Sequence, residues 1–548
     1  MTDPNPYTRQ VTEGVDELSA EGRALLDPQV TNLDGDIYAL TDEMDAHTRA
    51  AAAARYSRTA NDLRVVVAKE MSGSDYDVEM LWRTTNEYGD DSVGQMFTAD
   101  VVVNGTSQLV VKQLEWSRIG VGYIEKSTRY VAYNQRDADG NYPYVQLPQL
   151  PLRLREMYTQ SMDAIFDRYA AAFDGLLAHV RQTSEVPEDK RDAVWRAATK
   201  SKALDAARVI LPTAAKANTV VHATAQAFSL MAIRLLSSDV PESRRVGAGM
   251  LAELRKISPV FFERTAWEWR GGEHVRYLRD TREALRAVAA ELLPPKAIEI
   301  KPGQEVRLTD YTPRDEFDLV PFMLFDSADG YSIEELKEIC ATLSIEQKLA
   351  VMHAYMGEPT NRRHRPGRAL ERSNYGWGIV SDFGIFRDLQ RHRIVDDLRW
   401  QRLTPEHGME IPELAQMSGT RHYFEEAEML SRHVYEALRS EGFAEEAQYA
   451  TLLGHKLYWT VKTNGRSNKH MFELRSTPQG HPSYRALVQR MYSLVAAVHP
   501  NLARLSMPFM NMSEDPELGR QDSLKSQSVK GAIRERVPET PDWIKRLS

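Results

Sequence analysis

Leu293-Pro294-Pro295-Lys296, followed closely by Lys301-Pro302-Gly303, interrupts the 548-residue chain near its middle. Proline removes a backbone donor and fixes φ, so such a stretch is typical of a connector between folded units. A similar order of predicted elements begins on either side of it, with a short apolar stretch followed by helices. We therefore interpret the chain as an internal duplication.

This interpretation divides the chain into five parts. We predict an N-terminal arm over 1–29, a first unit over 30–265, a connector over 266–303, a second unit over 304–512 and a polar tail over 513–548. At about 150 residues per domain, the length predicts three or four domain-sized units, or two large ones.

In the first unit, the pattern predicts a short strand over 36–40 and an alanine-rich helix over 48–56. A strand over 97–103 is followed by Asn104-Gly105, which is typical of a tight turn. The residues 107–114 are either the returning strand or the start of a helix. Helical spacing of apolar residues then predicts helices over 154–181 and 202–236.

In the second unit, the apolar run 319–325 is predicted as a strand and 332–356 as helices. Apolar and polar residues alternate irregularly from 376 to 386, and a charged segment follows over 387–402. The remaining predicted helices lie at 424–438, 445–461 and 464–475.

Composition excludes several classes of protein. Lys and Arg total 69 against 78 Asp and Glu, for a net charge of −9, so overall charge does not favour a nucleic-acid-binding protein. The single cysteine, Cys340, excludes an internal disulfide or a cysteine-based zinc site, and its apolar helical neighbours predict a core position. We expect no signal peptide, no membrane span and no metal, and a cytoplasmic location.

The stretch Phe386–Ile394 places Arg391, His392 and Arg393 in succession. Neighbouring helix side chains point about 100° apart, so three such donors converge only near a helix end or an irregular turn. Guanidinium groups bind phosphate and stack on flat rings, which suits an anionic planar ligand. A solvated basic face is the alternative, and the same tripeptide recurs at Arg363-His364-Arg365.

Further residues in the second half complete a pattern that resembles a known family. They are Glu371, Arg391-His392-Arg393, Asn464-x-Arg466 and Leu474-Arg475, in that order. This series resembles the flavin-contacting pattern of the flavin-dependent thymidylate synthases. The resemblance implies that Glu371, Arg391, His392, Arg393, Asn464 and Arg466 bind FAD and that Arg475 lies near the stacked uracil and flavin rings.

The first half resembles the nucleotide-binding part of the same family. Lys112–Ile119 lies where the family has Arg-Gln-x-x-Arg-His-Arg, Glu125–Tyr130 matches Glu-x-Ser-x-Arg-Tyr, and Ala207–Pro212 matches Ala-Arg-x-x-Leu-Pro. The resemblance implies that Ser127 and Arg129 meet the nucleotide phosphate, while Gln113, Glu125 and Arg208 fix the sugar and base. It also implies that Ser127, Arg208 and Arg475 form the catalytic set.

Each half departs from the family where the other half keeps its pattern. The first has Trp116-Ser117 in place of Arg-His, and Thr224 and Gln226 in place of Asn-x-Arg. The second lacks the nucleotide motif at Gln401, Leu403, Thr451 and Gly454-His455. The family builds each active site between subunits of a homotetramer, so we expect one half to bind the nucleotide and the other FAD, with a homodimer reproducing the tetramer.

The resemblance implies an α+β fold of two similar units, each with a mostly antiparallel sheet and a helical bundle. It implies methylation of dUMP to dTMP at C5 without an enzymatic thiol, with methylenetetrahydrofolate as the carbon donor and NADPH as the reductant of FAD. Three alternatives remain open: flavin-dependent modification of another pyrimidine nucleotide, including hydroxymethyl transfer, a non-catalytic flavin- or nucleotide-binding homologue, and an all-helical scaffold with surface arginines.

Overall fold

A computed structural model of the chain describes residues 5–72, 91–116, 120–294 and 305–514, together with 541, 544, 546 and 547. The described residues group into two compact units. The first contains the described residues of 1–126 and 216–296, and the second those of 127–215 and 297–548. The fold is α+β and mostly helical, with antiparallel sheets, as predicted.

The first unit contains two antiparallel sheets and nine α-helices among its described residues. Its strands are Thr8–Thr12, Val15–Leu18, Thr98–Ser107, Val121–Glu125 and Lys216–Thr224, and its helices are Ala20–Leu26, Ala46–Tyr56, Leu63–Ser72, Asp91–Met96, Gln108–Leu114, Ala225–Leu236, Pro241–Ile257, Pro259–Ala266 and Glu273–Leu292. Lys216–Thr224 is the central strand of the larger sheet. Its alternating residues Ala217, Thr219, Val221 and Ala223 are buried, as a strand with one face on the core requires.

The predicted tight turn at Asn104-Gly105 is wrong. One strand, Thr98–Ser107, runs through both residues, and its register against the central strand shifts between Val103 and Thr106. Gly105 has φ +68, and its N–H donates to Asn218 Oδ1 at 3.0 Å. The glycine therefore forms a bulge rather than a hairpin, because the neighbouring strand takes up the backbone groups. The alternative of a helix from residue 107 is confirmed by Gln108–Leu114.

The second unit contains a four-stranded antiparallel sheet and a larger set of helices. Its strands are Val306–Thr312, Asn374–Asp382, Asp397–Trp400 and Lys456–Asn464, and its α-helices are Leu152–Gln182, Ala193–Ala207, Val320–Leu324, Ile333–Thr342, Ile345–Met356, Phe383–Leu389, Glu413–Met417, Arg421–Ser440, Ala444–Ala447, Gly465–Arg475, Pro482–Val498 and Pro500–Ser506. The strand order begins with Val306–Thr312 and continues through Asn374–Asp382 and Lys456–Asn464 to Asp397–Trp400.

The predicted strand over 319–325 is wrong, because this run forms short helical turns around Val320–Leu324. Leu319, Val320 and Met323 pack in one cluster with Met352 and with the predicted core residue Cys340, which is buried. A short apolar run does not by itself distinguish a buried strand from a buried helix. Pro321 in the first helical turn agrees with the helix.

Three other local predictions need correction. Residues 36–40 form only an isolated bridge, between Val30 and Leu40. The predicted helices over 202–236 and 445–461 are each interrupted by a strand, Lys216–Thr224 and Lys456–Asn464. Lys216–Thr224 is the central strand of its sheet, and Lys456–Asn464 is an interior strand of its own. Pairing on both sides outweighs local helix propensity there.

The two halves of the chain repeat one series of elements, which agrees with the predicted duplication. A 3₁₀ turn at Arg208–Ile210 precedes the strand Lys216–Thr224 and the helix Ala225–Leu236, and the turn Gln448–Ala450 precedes Lys456–Asn464 and Gly465–Arg475 in the same order. The compact units do not follow the halves, however, since 127–215 belongs with the second unit. The boundaries at 30–265 and 304–512 stay a prediction about the repeat.

The other predicted parts can be located. The arm over 1–29 contains the hairpin Thr8–Leu18 and the helix Ala20–Leu26, and the connector over 266–303 contains the helix Glu273–Leu292. Most of the tail over 513–548 lies outside the described residues. Throughout the described ranges, each helix is too short or too polar to cross a membrane.

Candidate functional site

A cavity of about 510 Å³ lies within the second unit. Four segments that are distant in sequence line most of it, namely 198–209, 382–384, 410–414 and 478–483. Its ionisable lining residues are Lys202, Asp205, Arg208, Asp382, Glu410, Glu413 and His481. A concave site with convergent polar groups is where a small-molecule ligand is expected.

Arg208 lies at the cavity, in the 3₁₀ turn that directly follows the helix Ala193–Ala207. Its side chain is buried, and Nη2 donates to Asp388 Oδ2 at 3.1 Å. A Cβ at Gly384 would lie 3.4 Å from the same nitrogen, so glycine allows the guanidinium to approach this helix closely. The fold thereby joins a residue of the predicted nucleotide set to the helix that precedes the predicted flavin cluster.

Arg129 forms a second arginine–carboxylate pair. Its Nε and Nη2 donate to the two carboxylate oxygens of Asp205 at 2.7 and 3.0 Å, a bidentate arrangement. Burial alone would lower the pKa of Arg129, but the Asp205 carboxylate raises it above its ordinary value. Ser127 Oγ accepts from the Arg129 N–H at 3.2 Å and shapes the turn that presents this arginine.

Asp388 connects several of these cations. Burial would raise its pKa, but the positive charges of Arg208, Arg129 and Arg475 together hold it well below its usual range. Asp388 is therefore ionised at neutral pH. This carboxylate links both predicted nucleotide arginines to a residue of the predicted ring-stacking site.

Asp382 is the second carboxylate beside Arg208. It caps the helix Phe383–Leu389, accepting from the Ile385 N–H at 2.7 Å. Burial raises the pKa of Asp382 to about 6, although Arg208 opposes the shift. The cavity thus contains a carboxyl group that exchanges its proton close to neutral pH.

His481 is a neutral side chain of the cavity. The Ser483 N–H donates to its Nδ1 at 3.2 Å, and its Nε2 lies 3.4 Å from the backbone oxygen of Asp205. Burial, assisted by Arg208, lowers the pKa of His481 to about 4. The geometry assigns its proton to Nε2, which faces the Asp205 carbonyl.

Arg475 and His392 form a further contact in this unit. Arg475 Nε donates to His392 Nε2 at 2.9 Å, so that nitrogen of His392 carries no proton. Burial, with the charge of Arg475, lowers the pKa of His392 well below its ordinary value. Arg475 and Arg129 both lie over the ring of Tyr484, at 5.5 and 5.7 Å from its centroid. Tyr484 therefore lies beside Arg129, of the predicted nucleotide set, and beside Arg475, of the predicted ring-stacking site.

The remaining predicted flavin residues lie near helix ends. Arg391, His392 and Arg393 follow the helix Phe383–Leu389 in irregular backbone, the setting in which we expect three successive donors to converge. Asn464 caps the helix Gly465–Arg475 by accepting from Ser467 N–H at 2.8 Å. Arg466 Nη1 donates to Glu371 at 2.9 Å. Glu371 also forms an ion pair with Arg368.

Gln113 and Glu125 lie in the first unit and have internal partners. Gln113 Oε1 accepts from Ser238 Oγ at 2.9 Å and Ser243 Oγ at 2.7 Å. Glu125 accepts from the buried Lys112 at 3.0 Å, and Lys112 also donates to Glu115. Their predicted contact with the nucleotide stays a prediction.

Sequence reasoning missed Asp205, Asp382, Asp388, His481 and Tyr484. Two of them carried a local signal, because Asp205 lies three residues before Arg208 and Asp388 three residues before Arg391. Asp382 also precedes a helix as an aspartate N-cap would. Among the described residues we find no group of three or more His, Cys, Asp and Glu side chains suited to a metal ion.

Comparison with known proteins places these observations in a family context. The model of the family described as "Thymidylate synthase complementing protein" matches residues 39–260 and 307–501. Two matched segments agree with a duplicated chain.

Relatives of similar length also match. The UPF0159 protein of Chlamydia muridarum is 30% identical over 537 residues, covering 94% of this chain and 99% of its own. The UPF0159 protein of Thermoplasma acidophilum is 30% identical over 512 residues, covering 88% and 99%. A crystal structure of the UMP/dUMP methylase PolB from Streptomyces cacaoi, bound with 5-Br dUMP, matches with 15% identity and a TM-score of 0.30, over 37% of this chain and 95% of that chain.

Proposed function

Because the chain belongs to the thymidylate synthase complementing protein family, we propose that it is a flavin-dependent transferase that methylates C5 of a uridine nucleotide. The substrate is dUMP and the product dTMP. Methylenetetrahydrofolate is the carbon donor and NADPH the reductant. Arg208, Arg475 and Ser127 form the proposed catalytic set.

One observation supports this proposal above the others. Arg129 and Arg208, of the predicted nucleotide set, lie in one compact unit with Arg475 and His392, and Asp388 interacts with all three arginines. The two sets come from opposite halves of the chain, and no local pattern requires them to meet. Arg208 lines a cavity of about 510 Å³, and Arg129 pairs with Asp205 of the same lining, which supports one site for nucleotide and flavin.

The two arginine–carboxylate pairs have a direct role in this proposal. Asp205 and Asp388 hold the guanidinium groups of Arg129 and Arg208 in fixed orientations before a ligand arrives. A phosphate competes with these carboxylates, and part of its binding energy is spent on displacing them. Lys202 lines the same cavity and has no carboxylate partner among the described residues, so its ammonium group is open to phosphate.

The donor groups of the predicted flavin set fit an isoalloxazine ring. His392 is neutral with Nε2 engaged by Arg475, so its remaining N–H, at Nδ1, is a donor for a ring carbonyl or nitrogen. Arg393, Asn464 and Arg466 add guanidinium and amide donors at the ends of two helices. FAD, when bound, supplies the hydride that completes the methyl group.

Asp382 is a described lining residue whose pKa is suited to proton transfer in the cavity. Its carboxyl group titrates at about pH 6 because burial disfavours the ionised form. General acid–base groups act best with a pKa close to the working pH. In the proposed reaction Asp382 holds a proton at a carboxyl oxygen beside Arg208.

We test the reaction with purified full-length protein. We expect flavin absorbance in the visible range and release of tritium from C5-labelled dUMP when methylenetetrahydrofolate and NADPH are present. The variant Arg208→Gln should bind flavin but release tritium at least tenfold more slowly. A colourless protein that does not bind added FAD contradicts every flavin-dependent version, and flavin binding without tritium release leaves a non-catalytic binding protein.

A cytidine nucleotide is the second candidate substrate. Glu410 lines the cavity, and carboxylate oxygens accept from the exocyclic amine of cytosine, whereas uracil presents an oxygen there. Release of tritium from C5-labelled dCMP but not from dUMP identifies this alternative.

We also propose that two copies of the chain associate as a homodimer with two working sites. The family builds its sites between subunits, and one duplicated chain supplies two repeats of a four-repeat assembly. Light scattering at micromolar concentration should give twice the mass of 62.3 kDa. A monomer at that concentration contradicts the dimer but leaves the reaction untouched.

A further inference from the structure

A second, smaller cavity of about 150 Å³ lies within the second unit, apart from the residues that line the proposed active site. Its polar lining consists of Glu358, His364, Arg365, Lys469 and Ser506, and its apolar lining includes Met356 and Leu505. At roughly 30 Å³ per water molecule, this volume holds about five waters. It admits a tetrahedral anion and excludes a whole nucleotide.

Ser506 gives the clearest indication of a ligand. Its side chain is 2% exposed, and its Oγ has no hydrogen-bond partner among the described residues. Leaving a buried hydroxyl unpaired costs about 1–3 kcal/mol, so such groups are usually satisfied by water or a ligand. Because Ser506 lines the cavity, a ligand oxygen there can accept from this hydroxyl.

The loop 361–367 supplies positive charge at the same place. Arg365 lines the cavity, and Arg362 lies close enough to His470 to lower its pKa, a shift that burial dominates. In the described part of the chain, neither arginine has a carboxylate partner. Arg466 Nε donates to the Pro366 carbonyl at 3.2 Å and holds the loop to the helix Gly465–Arg475.

Two acidic groups limit which anion fits. Lys469, buried at the cavity wall, is neutralised by Glu473, whose oxygen lies 2.5 Å from its Nζ. Glu358 is a carboxylate of the lining itself. A carboxylate beside the ligand favours an anion that retains a proton to donate, which hydrogen phosphate does and sulfate does not.

We propose that this cavity binds a phosphate group, with Arg365 as the ion-pair partner and Ser506 Oγ as the buried donor. The phosphate is either free in solution or part of a phosphate ester whose remainder lies outside the cavity. The proposal does not depend on the reaction proposed above, since it uses neither the cavity at Arg208 nor the pyrimidine ring.

The test is calorimetric titration of the full-length protein with inorganic phosphate at low ionic strength. We expect saturable binding that weakens at least fivefold in Ser506→Ala and at least tenfold in Arg365→Gln. Arg363→Gln is the matched control, because Arg363 belongs to the same loop and does not line the cavity. Absence of saturable binding, or equal loss in all three variants, overturns the site.

Sulfate tests the specificity of the cavity for phosphate. FAD tests whether the bound phosphate is free or part of a dinucleotide. Sulfate should bind at least tenfold more weakly than phosphate, and equal affinity overturns the assigned role of Glu358. If phosphate competes with FAD in the wild type and not in Arg365→Gln, the cavity holds the phosphate of a dinucleotide. Phosphate binding that FAD leaves unchanged assigns the cavity to free phosphate.

Discussion

The helix Gln108–Leu114 in the first unit and the helix Phe383–Leu389 in the second have the same local form and different chemistry at their ends. Each is N-capped by a side-chain oxygen, from Ser107 and Asp382. At the end of the first helix, Lys112 is enclosed by two buried glutamates. At the end of the second, Asp388 reaches Arg208 at a cavity.

We call the first arrangement closed, because carboxylates enclose its cation, and the second open, because its ion pair borders a cavity. At the first helix Lys112 meets Glu115 and Glu125, and the amide oxygen of Gln113 is used by two serines. At the second helix Asp388 pairs with Arg208, which lines the cavity. The corresponding element therefore encloses a cation in one unit and borders a cavity in the other.

The largest expected effect tests the closed arrangement. Lys112→Met removes the buried ammonium group that Glu115 and Glu125 share, which should reduce the free energy of unfolding by about 3–5 kcal/mol. Thermal denaturation measures the loss. Lys256→Met is the control, because its pair with Glu253 is exposed and should change stability by less than about 1 kcal/mol. Equal effects of both variants would show that the buried cluster contributes no more to stability than an exposed ion pair.

The next effect tests the open arrangement. Arg208→Gln removes a guanidinium proposed to contact the nucleotide. Because a hydrogen bond to a charged group contributes about 1.5–3 kcal/mol, the nucleotide dissociation constant should rise by about ten- to a hundredfold. Arg208→Lys keeps the positive charge and should retain only part of the nucleotide affinity. Calorimetry with dUMP measures binding, and Arg421→Gln, at an exposed pair with Glu425, is the control. Unchanged affinity in Arg208→Gln removes this residue from the site.

A smaller effect depends on pH. The folded pKa of Asp382, about 6, exceeds its unfolded value, so the folded state binds more protons between about pH 4 and 6, and stability decreases as pH rises through this range. Asp382→Asn should therefore gain about 1–3 kcal/mol relative to the wild type at pH 8 and little at pH 4. Thermal midpoints at both pH values measure this difference.

Asp45 provides a control of opposite sign. Burial would raise its pKa, but bonds from Thr48 and His47 lower it overall, so its stabilising contribution is present above the unfolded pKa and lost as pH falls. Asp45→Asn should lose stability at pH 8 and recover it in acid. If both variants respond to pH in the same direction, the raised pKa of Asp382 is wrong.

The smallest effect is expected when the N-cap residues of two corresponding helices are exchanged. Thr224 caps Ala225–Leu236 and Asn464 caps Gly465–Arg475. Asn464→Thr should keep the cap within about 0.5 kcal/mol and weaken FAD binding about threefold or more, since it removes the amide donor. Thr224→Asn should change neither quantity. A flavin affinity that survives Asn464→Thr excludes Asn464 from the flavin contacts.

Local sequence patterns predicted the elements whose cause is local. The alanine-rich residues 48–56 form the helix Ala46–Tyr56, and 424–438 lie within Arg421–Ser440. Predictions failed where distant strands compete, as in Lys456–Asn464, and where a short apolar run at 319–325 suits either structure. The family resemblance is confirmed by the matches over 39–260 and 307–501.

The sequence by itself determined the family, the repeat, the α+β class and the candidate arginines, because each of these depends on residue types at short, fixed spacings. Only the tertiary structure decided that Arg129 pairs with Asp205, that Arg208 pairs with Asp388 and that Tyr484 lies beside both Arg129 and Arg475. Arg129 and Asp205 are 76 residues apart, Arg208 and Asp388 are 180 apart, and Tyr484 lies 355 residues from Arg129, although only nine from Arg475. Ion pairs and ring contacts act over a few ångströms in space, so no pattern along the chain records them.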